Sequence, residues 1–575
     1  MAVTCSAKKE ARRRAARDNP HDYSCGSQLT RGSKNMDNVT ELNQLPESEI
    51  YDTRVIEKRA GGQEVAQDDY ALRRVPSTWR WSAWDCVWAL SGISTAMAFP
   101  LTAGLLVIFY GGAAVLVAVL LTCIYAAAGV YINARKAANE GAVIELISKH
   151  TFGFKGAAFE IVIYGFLGVL YFSLEGHVMS AALSEVLPAL PYWASAALIC
   201  LLFIPLSLYG MQFLTRFQSI TAWIYGLGVI LVFIALFSGW SKEVSSALAQ
   251  RDWWNINPNG VPFSWRSVLG AFGAMAGVLG AIMVLLCPAT ARFARRDQAG
   301  KTATLMSLFG AVFPLGLAMT FGVYLVAASG GKIPDPGVSL PRLLGPLGLL
   351  LVVLTQLRVN VINVYFGTTA LENFASQIFQ TKWSRIKLIS PFMICAYLLL
   401  ISPFLKYFGT IMTILSVFLV NWASVIAGEL WFVRPRHGIP QWAEFRRAYA
   451  ASYNWIGMIS MWLPTIVGVV MGSGRLGTDM QVLAVPVTGV AALVMPGLIG
   501  ALLSRQSVVA QYFARIPARV AGLQEIHACG RCGESFHRSD FVLCPFHNGA
   551  YICSGCCAAE HRCKLVCHGE GRPQA

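Results

Sequence analysis

Beyond residue 80 the chain repeats one pattern: a long apolar run, a short polar connection, another apolar run. Between residues 79 and 504 the pattern predicts about twelve membrane helices, near 82–108, 111–132, 158–186, 192–209, 219–239, 267–290, 304–328, 345–373, 388–404, 408–433, 455–472 and 482–503. Most reach the roughly 18 apolar residues needed to cross a hydrocarbon core. They are numbered spans 1 to 12 below. Three other regions break the pattern. Residues 1–78 are polar and predict a disordered tail, 505–527 a basic juxtamembrane linker, and 528–575 a small domain dense in cysteine.

Composition narrows this to an all-α polytopic membrane protein. Of 575 residues, 55% are hydrophobic and 13% charged, about half the charge of an ordinary soluble domain. The first 80 residues hold no hydrophobic signal segment, which argues against secretion. Lys and Arg number 46 against 31 Asp and Glu, a net charge of +15. In a soluble protein that excess would suggest nucleic acid. Here half of the basic residues sit in short loops between spans, so no nucleic-acid partner is expected, and the basic run Lys8–Arg17 reads as part of the disordered tail. An even number of spans puts both termini on one side. Loops on that side hold sixteen basic residues, among them Arg135, Lys136, Arg292, Arg295, Arg434 and Arg446, against seven on the other. The positive-inside rule then predicts a cell-membrane protein with both termini cytoplasmic. Trp79, Trp81, Trp84 and Trp88 read as an interfacial anchor where span 1 begins.

Two spans carry small residues where a helix would be interrupted. They are Leu90–Thr95 in span 1, around Ser94, and Gly270–Gly280 in span 6, around Gly277. Corresponding breaks five spans apart point to inverted repeats whose unwound backbone meets a substrate at mid-membrane. Small residues also allow close helix packing, and at this level both readings stand.

Three segments carry a further signal: His150-Thr-Phe-Gly-Phe-Lys-Gly156 leading to Gly168-Val-Leu-Tyr171-Phe172, Pro288-Ala-Thr-Ala-Arg292-Phe-Ala-Arg295-Arg296, and Gln356-Leu-Arg-Val-Asn360-Val-Ile-Asn363-Val-Tyr365. In order and position they resemble the nucleobase–cation symporter family, the purine and cytosine permeases, over about residues 75–435. The resemblance implies a five-plus-five inverted repeat with broken spans 1 and 6 and two extra spans. It also implies import of a nucleobase, hydantoin or related small heterocycle driven by sodium or protons. Carried over residue by residue, Tyr171 takes the place that stacks on the ring, Glu175 the polar place one turn on, and Asn360 the amide of span 8. With Asn363, and with Ser94 and Gly277 at the breaks, these are the substrate-binding candidates.

Physical chemistry supports these roles separately. A flat heterocycle offers a π-face and an edge of donors and acceptors, so its site needs an aromatic platform with amides or a carboxylate. Tyr171 and Glu175 share one helix face. A carboxylate at mid-membrane is costly and usually functional. The alternatives are a structural pairing of Glu175 with His177, Arg358 or a backbone group, and simple helix bridging by Asn360 and Asn363.

Departures from the family pattern matter. Ala289 replaces an aspartate at the end of span 6. Arg358 and Val359 replace two threonines that the family uses to ligate sodium between spans 1 and 8. A guanidinium has five donors and no acceptor, so it cannot ligate a cation. It is effectively never deprotonated either. Arg358 is therefore expected to substitute for the cation, making the protein sodium-independent.

The cysteines divide sharply: of 15 in the chain, eight fall between Cys529 and Cys567. Their spacing is Cys529-x2-Cys532, Cys544-x2-His547, Cys553-x2-Cys556 and Cys563-x3-Cys567. Four such pairs suit two zinc ions. Alternation suggests a cross-braced arrangement in which pairs one and three share one ion and pairs two and four the other, with a sequential arrangement also open. Cys557, His561 and His568 are substitutes for any one ligand. A reducing cytosol argues against disulfides, and an iron–sulfur cluster is the other metal reading. So short a tail, with few large apolar side chains, depends on metal to fold.

The sequence thus predicts a permease importing a small heterocycle by alternating access. The alternative is a transporter-like sensor that signals to a cytoplasmic protein partner through the zinc tail. A membrane-embedded enzyme finds no support, because Glu175 and His177, two residues apart, face different sides of their helix.

Overall fold

The structure is a computed structural model. It describes residues 70–75 and 80–560 apart from 209–215, most of 222–252, 380–382, 384, 405–407 and 516–525, together with 562, 563 and 567. Most of the tail expected to be disordered, much of span 5 and the centre of the linker lie outside the described residues.

Eight helices among the described residues are long and apolar enough to cross a membrane. They are Gly112–Glu140, Ala158–Val186, Trp265–Ala291, Arg296–Ala328, Pro346–Ile378, Ile411–His437, Trp455–Gly472 and Thr478–Leu502, which match spans 2, 3, 6, 7, 8, 10, 11 and 12. Shorter apolar helices Ala98–Tyr110, Tyr192–Leu206 and Ile386–Ile401 stand at half of span 1 and at spans 4 and 9. Span 5 is represented by helical residues 216–221 and a few beyond. Ile466, Val470, Leu498 and Leu502 on the last two spans are exposed. An apolar surface of this kind is what hydrocarbon, rather than water, would cover.

Span 1 breaks where its small polar residues predict. The helix Ala83–Leu90 starts on a capping box between Ser82 and Asp85 and ends at Ser91, whose hydroxyl donates back to the Trp88 carbonyl at 2.7 Å. A 3₁₀ turn Ile93–Thr95 follows, and Thr95 Oγ1 donates to the Gly92 carbonyl at 2.7 Å. Such back-bonding competes with the α-helical ladder. The second half resumes at Ala98–Tyr110. Span 6 is interrupted differently. Its α-helix runs to Met275, widens to a π-helix over Ala276–Ala281, and returns to α at Ile282. A π segment loosens the i→i−4 ladder without ending the helix.

Spans 3 and 8 cross at the centre of the bundle. A Cβ on Gly168 would lie 2.6 Å from Gly367 Cα, so the two backbones touch through paired glycines. Loop glycines are used differently: Gly153 has φ +90°, a left-handed turn that lets the next residues bond backward. Phe154 and Lys155 N–H donate to the carbonyls of Ala451 and Ser452 at 2.8 Å each.

The tail is built of two antiparallel hairpins, β1 (Ile526–Ala528) with β2 (Ser535–His537) and β3 (Phe541–Cys544) with β4 (Ala550–Cys553), followed by the helix Ser554–Ala559. Phe536, Phe541, Val542 and Ile552 form its core together with Ala448 and Tyr449 from the loop between spans 10 and 11. The tail therefore shares a core with the membrane domain. That departs from a linker-tethered arrangement.

Two more expectations change. Residues 70–75, assigned to the disordered tail, are packed: Tyr70, Ala71 and Val75 are buried. The linker begins as a helix, Arg505–Tyr512, whose Tyr512 is buried against His150. Trp81 is also no interfacial anchor. It is buried, stacked on Phe293 with ring centroids 4.3 Å apart, and its carbonyl accepts from Arg295 N–H at 3.0 Å. Trp84 remains exposed, as an anchor would be.

Candidate functional site

Where span 1 breaks, the first amides of its second half have no partner within their own helix. Glu175 of span 3 supplies one. Its Oε2 accepts from Met97 N–H at 3.0 Å and its Oε1 from Ala98 N–H at 3.1 Å. A carboxylate at a helix N-terminus is favoured by both the donors and the helix dipole. Of the three structural pairings open to Glu175, the backbone one is present. His177 pairs with Asp335 instead, at 3.2 Å, and with the Tyr192 hydroxyl at 2.9 Å.

Tyr171, one turn earlier on the same face, donates its hydroxyl to the Val278 carbonyl inside the π segment of span 6, at 2.8 Å. Span 3 thus touches both interrupted spans through two residues. From span 8, Gln356, Asn360 and Asn363 recur at helical spacing and are all buried. Asn363 Nδ2 donates to Asn360 Oδ1 at 3.1 Å. Asn360 Nδ2 and Gln356 Oε1 are buried without a hydrogen-bond partner, and the Gln356 amide lies against the Glu175 carboxylate. Buried amides without partners cost about 1–3 kcal/mol each, and a ligand edge would relieve that cost. Gln356 is the residue that sequence reasoning passed over, although its place one turn before Asn360 was a usable signal.

Gly277 faces elsewhere. A Cβ there would lie 1.9 Å from Ser416 Cα of span 10, and Ser416 Oγ donates to the Ala274 carbonyl at 3.1 Å. Close packing is what this glycine serves. Ser94 lies on the 3₁₀ turn, and its side chain is outside the described residues.

Arg358 is fully buried on span 8. Its guanidinium donates to the Ser91 hydroxyl at the break in span 1 at 3.0 Å, to the Gln218 carbonyl of span 5 at 2.8 Å, and to the Thr221 hydroxyl. Gln218 Nε2 returns a bond to the Arg358 carbonyl at 2.7 Å. One fixed positive charge thereby joins spans 1, 5 and 8.

The tail gathers Cys529, Cys532, Cys553 and Cys556 so that all four sulfurs lie within 4.8 Å of one another. This is the cross-braced combination of pairs one and three. The Cys532–Cys553 sulfur separation of 3.9 Å matches the edge of about 3.8 Å of a tetrahedron with 2.3 Å metal–sulfur bonds. Cys553 N–H and Cys556 N–H point at the sulfurs of Cys529 and Cys553, at 3.2 and 3.5 Å, as thiolates require. This donor set fits a tetrahedral metal ion. Cys544, Cys563 and Cys567 line one small cavity with Cys557, and His547 Nδ1 is 3.2 Å from Cys544 Sγ. Among the described residues they do not close as tightly as the first four. His561 and His568 lie outside the described residues.

These features define the class: a polytopic inverted-repeat transporter fold with interrupted spans 1 and 6, extended by a cysteine-rich tail. Among solved structures the chain is similar to Mhp1, a nucleobase-cation-symport-1 family transporter, in a closed conformation with bromovinylhydantoin bound. The TM-score is 0.58 at 15% identity, over 77% of this chain and 96% of that one. The inward-facing conformation of Mhp1 matches with a TM-score of 0.58 at 14% identity, over 77% and 94% of the two chains. No protein-family model and no curated protein sequence matches this chain. At such identity the likeness establishes the fold.

Proposed function

We propose that this protein is a membrane permease that imports a nucleobase or related small heterocycle by alternating access, without sodium. The observation that carries this reading is the grouping of Tyr171, Glu175, Gln356 and Asn360 between the two interrupted spans. An aromatic ring, a carboxylate and buried amides, with Asn360 Nδ2 left to donate, are the chemistry a flat heterocycle demands. That Mhp1 binds bromovinylhydantoin in the same fold supports the substrate class. Sodium independence rests on Arg358, whose permanent charge bridges spans 1 and 8 in place of an ion. The terminus side is taken as cytoplasmic from the loop charges. The tail is read as a two-zinc domain, with Cys529, Cys532, Cys553 and Cys556 on one ion and Cys544, His547, Cys563 and Cys567 on the other. The protein performs no covalent chemistry in this reading.

Uptake of a radiolabelled panel of purines, pyrimidines and hydantoins into cells lacking their own permeases tests it. Saturable accumulation is expected. The docked tail favours a second reading, a sensor that binds the same ligand and signals to a cytoplasmic protein partner. Binding without accumulation would select that reading.

A further inference from the structure

Residues 70–75 form a strap across the tail-side ends of several spans, and Arg80 and Trp81 stand where span 1 begins. Its carbonyls at Tyr70 and Ala71 accept from Arg292 at 2.8 Å and from Asn373 at 2.9 Å. Val75 N–H donates to the Gly141 carbonyl at 2.8 Å, and Arg80 donates to the carbonyls of Ala138, Arg292 and Ala294. The strap therefore connects the ends of spans 2, 6 and 8 just ahead of the first half of the interrupted span. In such folds alternating access is largely rigid-body rocking of one repeat against another, and the strap lies on the elements that must part.

The tail reaches this strap at two adjacent arginines, Arg73 beside Glu534 and the more buried Arg74. Arg74 Nε donates to Asp540 Oδ1 at 2.7 Å, while its other nitrogens donate to the carbonyls of Glu140 and Ala443 at 3.0 and 2.5 Å. Glu140 lies 3.5 Å from Arg74, but Lys136 holds that carboxylate at 2.5 Å. Two cations and two carboxylates thus balance, and Asp540 is the partner that neutralises Arg74. The metal site in turn positions Asp540. Its Oδ2 accepts from Ser554 N–H at 3.1 Å, directly after Cys553, and it immediately precedes β3, which pairs with the strand that ends in Cys553. A second tie runs parallel: Arg446, bound to Glu444, donates to the Phe541 carbonyl at 2.5 Å.

We propose that the metal-held tail is a latch on the tail-side gate, with Asp540 pinning Arg74 of the strap. When the Cys529–Cys532–Cys553–Cys556 site loses its ion, β3, β4 and the following helix lose their common support, Asp540 leaves Arg74, and the first half of span 1 is released to move. Gating then responds to the supply of a thiolate-binding metal ion, whatever molecule the central pocket carries.

Hydrogen exchange of the full chain in lipid nanodiscs tests the latch. Treatment with a chelator, and separately the Asp540→Ala variant with metal retained, should each raise exchange at residues 70–75 and 83–90 by at least tenfold. Added zinc should reverse the chelator effect but not that of the variant. Glu534→Ala serves as the control, because it removes the more exposed pair with Arg73 at 2.7 Å while leaving Asp540 on Arg74, and should leave the strap protected. Residues 478–502 should keep their protection throughout. The latch is overturned by a strap that stays protected while residues 526–560 lose protection, by an Asp540→Ala variant with an unchanged strap, or by loss of protection at 478–502 on chelation, which would make the metal a support of the whole fold. A tail that keeps its protection without metal overturns it equally.

Discussion

Tyr171 holds a ring at the centre of the bundle and a hydroxyl on the backbone of span 6, and the two functions separate by mutation. Tyr171→Phe keeps the platform and loses only the bond to Val278, so affinity for the best ligand of a heterocycle panel should fall little. Tyr171→Ala should reduce it tenfold or more, about 1.4 kcal/mol. Equal losses in both variants, read by ligand-induced thermal shift, would show that the hydroxyl and not the ring matters. Glu175→Gln keeps an acceptor for one of the two amides of span 1 and should abolish ligand binding with membrane expression retained. Glu175→Ala orphans both amides and should cost about 1–3 kcal/mol of stability besides. For Arg358 the expected result is ligand affinity that changes less than tenfold between zero and about 150 mM sodium, with ionic strength held constant by choline. A larger dependence would mean that sodium binds elsewhere and is coupled to the ligand. Much of this site is legible in the sequence, because helical spacing alone puts Tyr171 and Glu175 on one face. The orientation of Gly277 toward Ser416 is not. A glycine in an apolar helix carries no sign of which neighbour approaches it.

The crossing of spans 3 and 8 is where an element depends on single atoms. Gly168→Ala puts a methyl group 2.6 Å from Gly367 Cα, and backbone cannot yield as a side chain can. Overpacking of this kind should cost about 1–3 kcal/mol, measurable as a lower melting temperature in detergent. Gly300→Ala, where a Cβ meets nothing within 4 Å, should be neutral by the same measurement. Span positions were legible to within a few residues, since hydropathy follows directly from burial in lipid. The strap was not. Tyr70-Ala-Leu-Arg-Arg-Val75 is short, with two of its six residues charged, and reads as solvated chain. Its burial depends on Glu140, Arg292, Asn373 and Asp540, none of them near it in sequence. For the same reason the gathering of Cys529, Cys532, Cys553 and Cys556 was among the arrangements legible from local spacing, while the tail's docking on Ala448 and Tyr449 was not.

For the molecule as a whole, native mass spectrometry of the full chain should find two zinc ions. Cys553→Ser should lose one of them, and a single ion in the unaltered protein would rule out the second set of ligands. The Arg74–Asp540 pair also has a consequence for how the protein is made. It joins residues 466 positions apart, so it cannot form until nearly all of the chain has left the ribosome. By then every span has been synthesised, and until then the nearby carboxylate of Glu140, shared with Lys136, is what Arg74 has to pair with. A residue made late therefore completes the charge balance of a strap made early. A chain truncated before Asp540 would carry all its spans and still lack that closure.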